Sequence, residues 1–235
     1  MSADPRVGLL GGTLDPIHVG HLETACAAKR ALNLDLVYVL PSRVPPHRSQ
    51  QPVASSHHRF AMTALAVNGM DGLKASDIEL SAPGVSYTAD TLTRFASSTA
   101  LAASQIFFIT GADAFAEIET WHRYPEVLDL ANFIVVSRPG FPVETLLRRL
   151  PTLGGRMISP GSQVATANRQ SPTANRHSPT AGVVSIFLVN ATTPDVSSSD
   201  IRQRLLSRRS VAGLVPAGVE RHITQHGLYE GKSLA

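Results

Sequence analysis

Short, nearly continuous apolar runs recur along this chain, separated by segments with helical spacing or by turn residues. Such runs are typical of strands that are buried on both faces of a parallel sheet. They occupy residues 6–10, 36–40, 105–110, 133–137 and 183–189, and a shorter run at residues 78–80 is predicted to be the third strand. We therefore predict an α/β fold. It would be a single Rossmann-like domain with a mostly parallel, doubly wound sheet, flanking helices and a small helical end at the C-terminus.

Two segments between these runs have the spacing of helices. After the first run, apolar residues recur at Leu22, Ala25, Cys26 and Leu32. A second helix is predicted over residues 57–67, with Phe60, Ala64 and Val67 facing the core. Within that helix, Arg59 is expected to face either solvent or a functional site.

Composition and charge exclude several classes of protein. The chain has 235 residues, enough for one sizeable core, so we predict a single domain over residues 1–235. The net charge is only +3 and the basic residues are spread out, which argues against a nucleic-acid-binding protein. The single cysteine, Cys26, excludes an internal disulfide and is expected to pack in the core. No signal peptide and no apolar stretch of membrane length are visible, so we expect no membrane association and a cytoplasmic location. Assembly with copies of itself is left open.

The composition changes between residues 154 and 182, where Ser, Thr, Asn, Pro and Gly replace apolar residues. Within this segment, residues 166–172 are repeated almost unchanged as residues 173–179. A seven-residue duplication without an apolar seam is not a coiled coil, and it buries too little surface to order itself. We predict a disordered low-complexity insertion over residues 154–182, with no catalytic role.

The most informative stretch is the crossing from the first strand to the first helix, residues 11–21, which reads GGTLDPIHVGH. Gly11 and Gly12 allow a tight turn and the close approach of a ligand to main-chain N–H groups. His18 and His21 are three residues apart at the start of the helix and can lie on one face. Together with the positive end of the helix dipole, these groups favour phosphate binding.

Two other interpretations of this stretch are a plain strand–turn–helix with two incidental histidines and a transition-metal site. The metal interpretation is weak because no third ligand lies nearby in the sequence. We therefore predict no metal held by protein side chains alone.

The same stretch resembles the GGTFDPxHxGH signature of the nucleotidyltransferase superfamily, with Leu14 in place of the usual Phe. Later in the chain, residues 194–202 read PDVSSSDIR and resemble the superfamily's second element, I-S-S-T-x-I-R. Further segments resemble the bacterial nicotinate-nucleotide adenylyltransferase family: PPHR at residues 45–48, SYTADTL at 86–92, GAD at 111–113 and SRPG at 137–140. Arg48 stands where that family usually has Lys. The resemblance covers nearly the whole chain outside the insertion.

The resemblance implies roles for particular residues. The catalytic residues would be His18, His21 and Arg202. The ATP-binding residues would be Gly11, Gly12, Thr13, Gly111, Asp113, Ser198 and Ser199. The residues that bind the second substrate would be His47, Arg48, Tyr87, Thr88, Trp121 and Arg138.

Several of these residues also have a purely structural interpretation. Thr88 and Asp113 can each be a helix cap. Tyr87 and Trp121 can be packing residues, although a Trp at this point in the family stacks on the pyridine ring of the substrate. The loop that contains His47 can simply be solvated.

The resemblance implies an enzyme that transfers AMP from ATP to nicotinate mononucleotide, giving deamido-NAD and pyrophosphate, with Mg²⁺ on the ATP phosphates. A phosphate nucleophile is already largely ionised at pH 7, which agrees with the lack of an obvious general base. The acceptor could instead be nicotinamide mononucleotide or phosphopantetheine, but Trp121 and the 137–140 loop favour the nicotinate form. A non-catalytic nucleotide sensor is the other alternative, and the intact His18, His21 and Arg202 argue against it.

Overall fold

Seven parallel strands form one sheet in the computed structural model, which describes residues 4–46, 52–158 and 184–230. The strands are β1 (Val7–Gly12), β2 (Leu36–Pro41), β3 (Leu73–Ala75), β4 (Ile106–Gly111), β5 (Asn132–Val136), β6 (Met157–Ile158) and β7 (Ile186–Val189). Their order across the sheet is β3-β2-β1-β4-β5-β7-β6, and every neighbouring pair is parallel. The predicted α/β class and parallel sheet are confirmed.

Helices cover both faces of this sheet. Over the described residues, the α-helices are α1 (Val19–Leu32), α2 (Ser56–Val67), α3 (Thr88–Thr99), α4 (Ala112–Phe115), α5 (Leu146–Arg149), α6 (Ser198–Leu206) and α7 (Ala217–Gln225). Short 3-10 turns lie between β4 and β5 and around α5. None of the helices seen in the described ranges has the length and hydropathy needed to cross a membrane.

The sheet reverses its strand order at β1, and this places the site. In β1, Leu9 pairs with Tyr38 of β2 on one side and with Phe108 of β4 on the other. The carboxyl ends of β1 and β4 therefore open side by side, at Gly12 and Gly111. In open α/β sheets, ligands bind in the crevice at such a reversal.

Alternate residues of β1 enter two separate cores, one on each face of the sheet. Leu9 packs in the core that contains Phe108 and Phe133. Leu10 packs in the core that contains Ile109 and helix α1 residues such as Ala28. Burial of both faces explains why the strands are almost continuously apolar, and it gives the loops at the strand ends a rigid support.

The third strand lies earlier in the chain than we predicted. Leu73–Ala75 pairs with β2, whereas residues 78–80 form a turn in which the amides of Leu80 and Ser81 donate to the Asp77 carbonyl. The prediction was wrong because it rested on the apolar character of Ile78 and Leu80. In the structure, Glu79 between them is the buried residue.

The buried face of α2 also differs from the prediction. Its buried residues are Arg59, Met62, Thr63, Ala66 and Val67, an i, i+3, i+4, i+7, i+8 pattern. Phe60 and Ala64, which we expected to face the core, are only half-buried. The pattern was hidden because its first member is a charged residue.

The predicted insertion does not begin at residue 154, because residues 154–158 have regular structure. Residues 154–156 complete a 3-10 turn, and Met157–Ile158 form β6, which pairs with β7. Residues 159–183, including the whole duplication, lie outside the described residues. For them the insertion stays a prediction.

Candidate active site

The loop that joins β1 to α1 is built around two stacked histidine rings. The centroids of the His18 and His21 rings are 3.7 Å apart, with an angle of 31° between their planes. The backbone N–H of His18 donates to Nδ1 of His21 over 3.3 Å. Because Nδ1 accepts, the proton of the neutral His21 ring resides on Nε2, which is the nitrogen that can donate to an anion.

His18 is a buried, uncharged imidazole. Its side chain is 2% exposed, and its Nδ1 has no hydrogen-bond partner among the described residues. Burial, with a smaller contribution from the charge of Arg138, lowers the pKa of His18 to about 4. The ring is therefore neutral near pH 7. A Cβ at Gly20 would lie 3.1 Å from two atoms of this ring, so the third glycine of the signature leaves room for it.

The second signature meets the first at this loop. Ser197 caps α6 by accepting a hydrogen bond from the Asp200 amide, as predicted for the serine run. Ser198 donates to the Pro16 carbonyl over 2.9 Å, and Arg202 donates to the Asp15 carbonyl over 2.7 Å. Arg202 also donates to the Ser199 hydroxyl. The start of α6, with its arginine, is thereby attached to the loop that carries the two histidines.

The side chain of Asp15 anchors the loop to two distant parts of the chain, and this role was not predicted from the sequence. Its carboxylate is 1% exposed and accepts hydrogen bonds from the amides of Val53 and Ala54 and from the hydroxyl of Tyr229. From sequence, Asp15 before Pro16 indicates only a turn. No local pattern links residue 15 to residues 53 and 229.

Arg59 is a second residue whose role was missed. Its side chain is 1% exposed, and its guanidinium donates to the carbonyls of Ala54, Thr13, Ser42 and Arg43. These carbonyls belong to the loops that leave β1 and β2. Arg59 thus fixes the backbone at the carboxyl ends of two neighbouring strands, using the planar fork of its donors.

A cavity of about 280 Å³ opens beside the signature loop. Its walls come from the ends of β1, β2 and β4, the start of α3 and the turn after α4. Predicted site residues in these walls are Gly11, Gly12, Thr13, Tyr87, Thr88 and Trp121. Further lining residues that we did not predict are Ser42, Glu79, Phe108, Thr110 and His122.

Aromatic rings dominate one side of this cavity. Trp121 is half-buried and contacts Phe108 edge to face, with ring centroids 6.0 Å apart. Tyr87 stacks on His122 at 4.2 Å. Trp121 is therefore both a packing residue and a cavity wall, which reconciles the two interpretations of the sequence. A flat aromatic ligand suits such a wall.

The start of α3 presents main-chain donors to the same cavity. The residue before the helix is Tyr87, and no side chain caps the first turn. The expected cap by Thr88 is thus wrong, because Thr88 is already the first helical residue. Uncapped N–H groups and the helix dipole favour an anionic group at this position.

Gly111, Asp113 and Arg138 form a third part of the site, at the end of β4. Asp113 makes an ion pair with Arg138 at 3.3 Å, and both side chains are about one-third exposed. A Cβ at Gly111 would lie 2.5 Å from the Asp113 carboxylate and 2.9 Å from the Arg138 side chain, so a larger residue there would displace this ion pair. Asp113 lies within α4 and the residue before that helix is Gly111, so the alternative of Asp113 as a cap is wrong.

The predicted residues His47 and Arg48 lie outside the described residues. The others fall into three groups: the histidines with Arg202 and the serines of α6, the cavity with Gly11, Gly12, Thr13, Tyr87, Thr88 and Trp121, and the end of β4 with Gly111, Asp113 and Arg138. Over the residues that the structure describes, no group of three His, Cys, Asp or Glu side chains is arranged to hold a metal. The carboxylate within the loop, that of Asp15, already accepts hydrogen bonds on both oxygens from other groups of the protein.

Chemically, the first group is a set of hydrogen-bond donors without a general base. A neutral imidazole with its proton on Nε2, an arginine and a helix start can bind and neutralise phosphate oxygens. The second group can hold a flat aromatic ring together with an anionic substituent.

Comparison with known proteins gives a consistent result. Residues 9–204 match the model of a family described as cytidylyltransferase-like. The chain is 37% identical to a protein of Desulfatibacillum aliphaticivorans, over 95% of this chain and 99% of that protein. It is 38% identical to one of Trichlorobacter lovleyi, over 96% and 99%. Both relatives are named probable nicotinate-nucleotide adenylyltransferase.

Among solved structures, the fold is similar to a nicotinic acid mononucleotide adenylyltransferase of Plasmodium falciparum complexed with NaAD. The TM-score is 0.67, the sequence identity is 18%, and the match covers 96% of this chain and 97% of that one. At this identity the likeness concerns the fold.

Proposed function

The chain belongs to the cytidylyltransferase-like family and to the nicotinate-nucleotide adenylyltransferases, and from this premise we propose that it transfers AMP from ATP to nicotinate mononucleotide. The products are deamido-NAD and pyrophosphate. The observation that carries the proposal is the position of the His18, His21 and Arg202 donors beside a cavity walled by Trp121 and the uncapped start of α3.

In the proposed reaction, a phosphate oxygen of the mononucleotide attacks the α-phosphorus of ATP. A new P–O bond forms, the bond from the α-phosphorus to the bridging oxygen breaks, and pyrophosphate leaves with the electron pair. The attacking oxygen carries no proton at neutral pH, so no general base is required. The protein aligns two repelling anions and neutralises charge on the leaving group.

The hydrogen-bond donors of the protein are suited to neutralising the charge on the leaving pyrophosphate. We assign the Nε2–H of His21 and the guanidinium of Arg202 to the outer phosphates, where negative charge accumulates. His18 is neutral and adds no charge; its buried ring stacks on His21 and holds it in place. The remaining ATP contacts are assigned to Gly11, Gly12, Thr13, Gly111, Asp113, Ser198 and Ser199.

Mg²⁺ enters this proposal on the ATP phosphates. Because the Asp15 oxygens already accept hydrogen bonds within the protein, Mg²⁺ would be held by ATP phosphates and water rather than by this carboxylate. When bound, Mg²⁺ offsets phosphate charge. The second substrate is assigned to His47, Arg48, Tyr87, Thr88, Trp121 and Arg138.

The experiment that tests the function is an assay of pyrophosphate release from ATP with three acceptors: nicotinate mononucleotide, nicotinamide mononucleotide and phosphopantetheine. We expect a preference for the acid of about tenfold to a hundredfold over the amide in kcat/KM. The main-chain groups at the α3 start are all donors, so an amide N–H₂ would find no acceptor among them, at a cost of about 1–3 kcal/mol per unpaired group. Trp121→Ala is expected to weaken both pyridine acceptors equally, because stacking does not distinguish them.

Comparable rates on the acid and the amide would contradict the proposed specificity. Turnover of phosphopantetheine alone would contradict the proposed reaction. Binding of ATP without turnover of any acceptor would favour the nucleotide sensor.

A further inference from the structure

Glu79 is a buried carboxyl in the wall of the acceptor cavity. It is 6% exposed and lines the same cavity as Tyr87, Thr88 and Trp121. Within the described ranges, no Lys, Arg or His lies close enough to form an ion pair with it. Buried carboxylates are normally paired with a cation, so this one requires an explanation.

The contacts of Glu79 connect it to both halves of the site. Its Oε1 accepts a hydrogen bond from the Thr91 hydroxyl, in the first turn of α3, over 2.9 Å. The same oxygen lies 3.9 Å from where a Cβ on Gly11 would be. Glu79 therefore lies between the uncapped start of α3 and the end of β1.

The charged groups around Glu79 lie at longer range. Arg94 on α3 and Arg59 on α2 favour its ionised form, as do hydrogen bonds from Thr91 and Ser86, but burial outweighs them and raises the pKa of Glu79. Asp90 on α3 is engaged by Arg123 at 3.3 Å. His122 lines the same cavity and is the other titratable group to be controlled.

We propose that Glu79 is a specificity-determining residue for the acceptor, and that its protonation state sets the preference for an acid over an amide substituent on the pyridine ring. This inference rests on the proposed function. When the carboxyl is protonated, it carries no charge and can donate to a carboxylate. When it is ionised, it repels a carboxylate and can accept from an amide N–H₂.

The experiment is the ratio of kcat/KM for nicotinate mononucleotide to that for nicotinamide mononucleotide, measured between about pH 5.5 and 9. Titration of ATP, of the acceptor phosphate and of the remaining site residues affects both substrates and largely cancels in this ratio. For the wild-type chain we expect the ratio to fall as pH rises, by about tenfold across the titration of one carboxyl.

The Glu79→Gln variant keeps the size and an acceptor oxygen for Thr91 but cannot ionise. We expect its ratio to be independent of pH. Glu220→Gln, on α7 and away from the cavity, is the matched control and should retain the wild-type profile. His122→Gln should also retain the fall, which assigns the titration to Glu79.

Thr91→Val separates charge from structure. It removes a hydrogen bond that stabilises the ionised carboxyl, so the midpoint of the fall should move to higher pH. A merely structural role for Glu79 predicts no such shift.

The affinity of each mononucleotide, followed by quenching of Trp121 fluorescence over the same pH range, is the second measurement. If both acceptors bind and the ratio is flat in the wild type, or falls equally in Glu79→Gln, the inference about Glu79 is overturned and the proposed function stands. If neither mononucleotide binds or reacts, both are overturned.

Discussion

At the scale of single residues, the signature histidines differ in their surroundings although they lie three positions apart. His18 is buried, and its Nδ1 has no hydrogen-bond partner among the described residues. His21 accepts a main-chain hydrogen bond that fixes its tautomer. Such fixed, uncharged donors need little reorganisation when charge develops on a phosphate. We therefore expect substitution of His21 to affect turnover and substitution of His18 to affect the pH dependence of stability.

His21→Ala is expected to lower kcat by about a hundredfold and to change ATP affinity much less, the usual scale for one preorganised donor to transition-state charge. Steady-state kinetics with ATP as the varied substrate measures this. His57→Ala, an exposed histidine on α2, is the control and should behave as wild type. Normal turnover with lost ATP binding would instead identify His21 as a ground-state anchor.

His18 predicts a loss of stability in acid. Its pKa is about 4 in the folded protein and near its ordinary value of 6.5 when unfolded. Below pH 6.5 the unfolded chain therefore takes up a proton that the folded chain does not. Stability falls as pH drops from about 6.5 to about 4, by up to about 3 kcal/mol for this group.

Urea unfolding at pH 7.5 and pH 5 measures this effect. His18→Gln should lose less stability over that interval than the wild type does. Part of the loss should remain in the variant, because burial also lowers the pKa of His222. An equal loss in both proteins would exclude His18 as the source.

At the scale of elements, the loops that form the site are held by a side chain from helix α2 and by backbone amides of the segment before it. Arg59 donates to four carbonyls, one in the loop after β1 and three in the loop between β2 and α2. Asp15 accepts from the amides that precede α2. The second helix thus positions the first signature.

Arg59→Met is expected to destabilise the fold by at least about 3 kcal/mol, because it leaves buried carbonyls without a charged donor. Denaturant unfolding gives the value. Arg221→Met removes an exposed arginine from α7 and should change stability by less than about 0.5 kcal/mol. A change of similar size in the two variants would show that solvent replaces the hydrogen bonds of Arg59.

The elements also show what the sequence could and could not predict. Apolar runs located five of the strands because burial on both faces leaves a continuous signal. The signatures allowed His18, His21 and Arg202 to be proposed from sequence because they lie at fixed local spacings around helix starts, and the structure brings the three into neighbouring positions on one loop and the start of α6. The burial of Glu79 and Arg59 was not predicted, because charged residues usually lie on the surface and only the long-range partners show that these two are buried. The hydrogen bonds of Asp15 were not predicted either, because their donors lie far away in the sequence.

At the scale of the whole molecule, the candidate site and the predicted insertion lie at different places along the sheet, the site at its centre and the insertion at one edge. The site lies at β1 and β4, whereas the predicted insertion connects β6 to β7 at the far edge. Loop length between fixed ends costs little entropy. The insertion should therefore be separable from activity.

Replacing residues 162–180 by a short Gly/Ser linker should leave kcat/KM within about twofold and stability nearly unchanged. The linker must keep the crossover between the parallel strands at about a dozen residues. Activity and thermal unfolding, compared with the full chain, measure the effect. Loss of folding would show that the duplicated segment packs on the domain.

The hydrogen bond from Tyr229 to Asp15 joins residues that are 214 positions apart, and Arg202 reaches the same loop across 187 positions. On the ribosome, the loop with the histidines emerges early, while two of the residues that hold it, Arg202 and Tyr229, are translated near the end. A nascent chain can bury β1 against β2 long before it has an ordered phosphate site. We therefore expect adenylyl transfer to begin only when translation is almost complete, and a chain that ends before residue 202 to be inactive, because it lacks both of these hydrogen bonds.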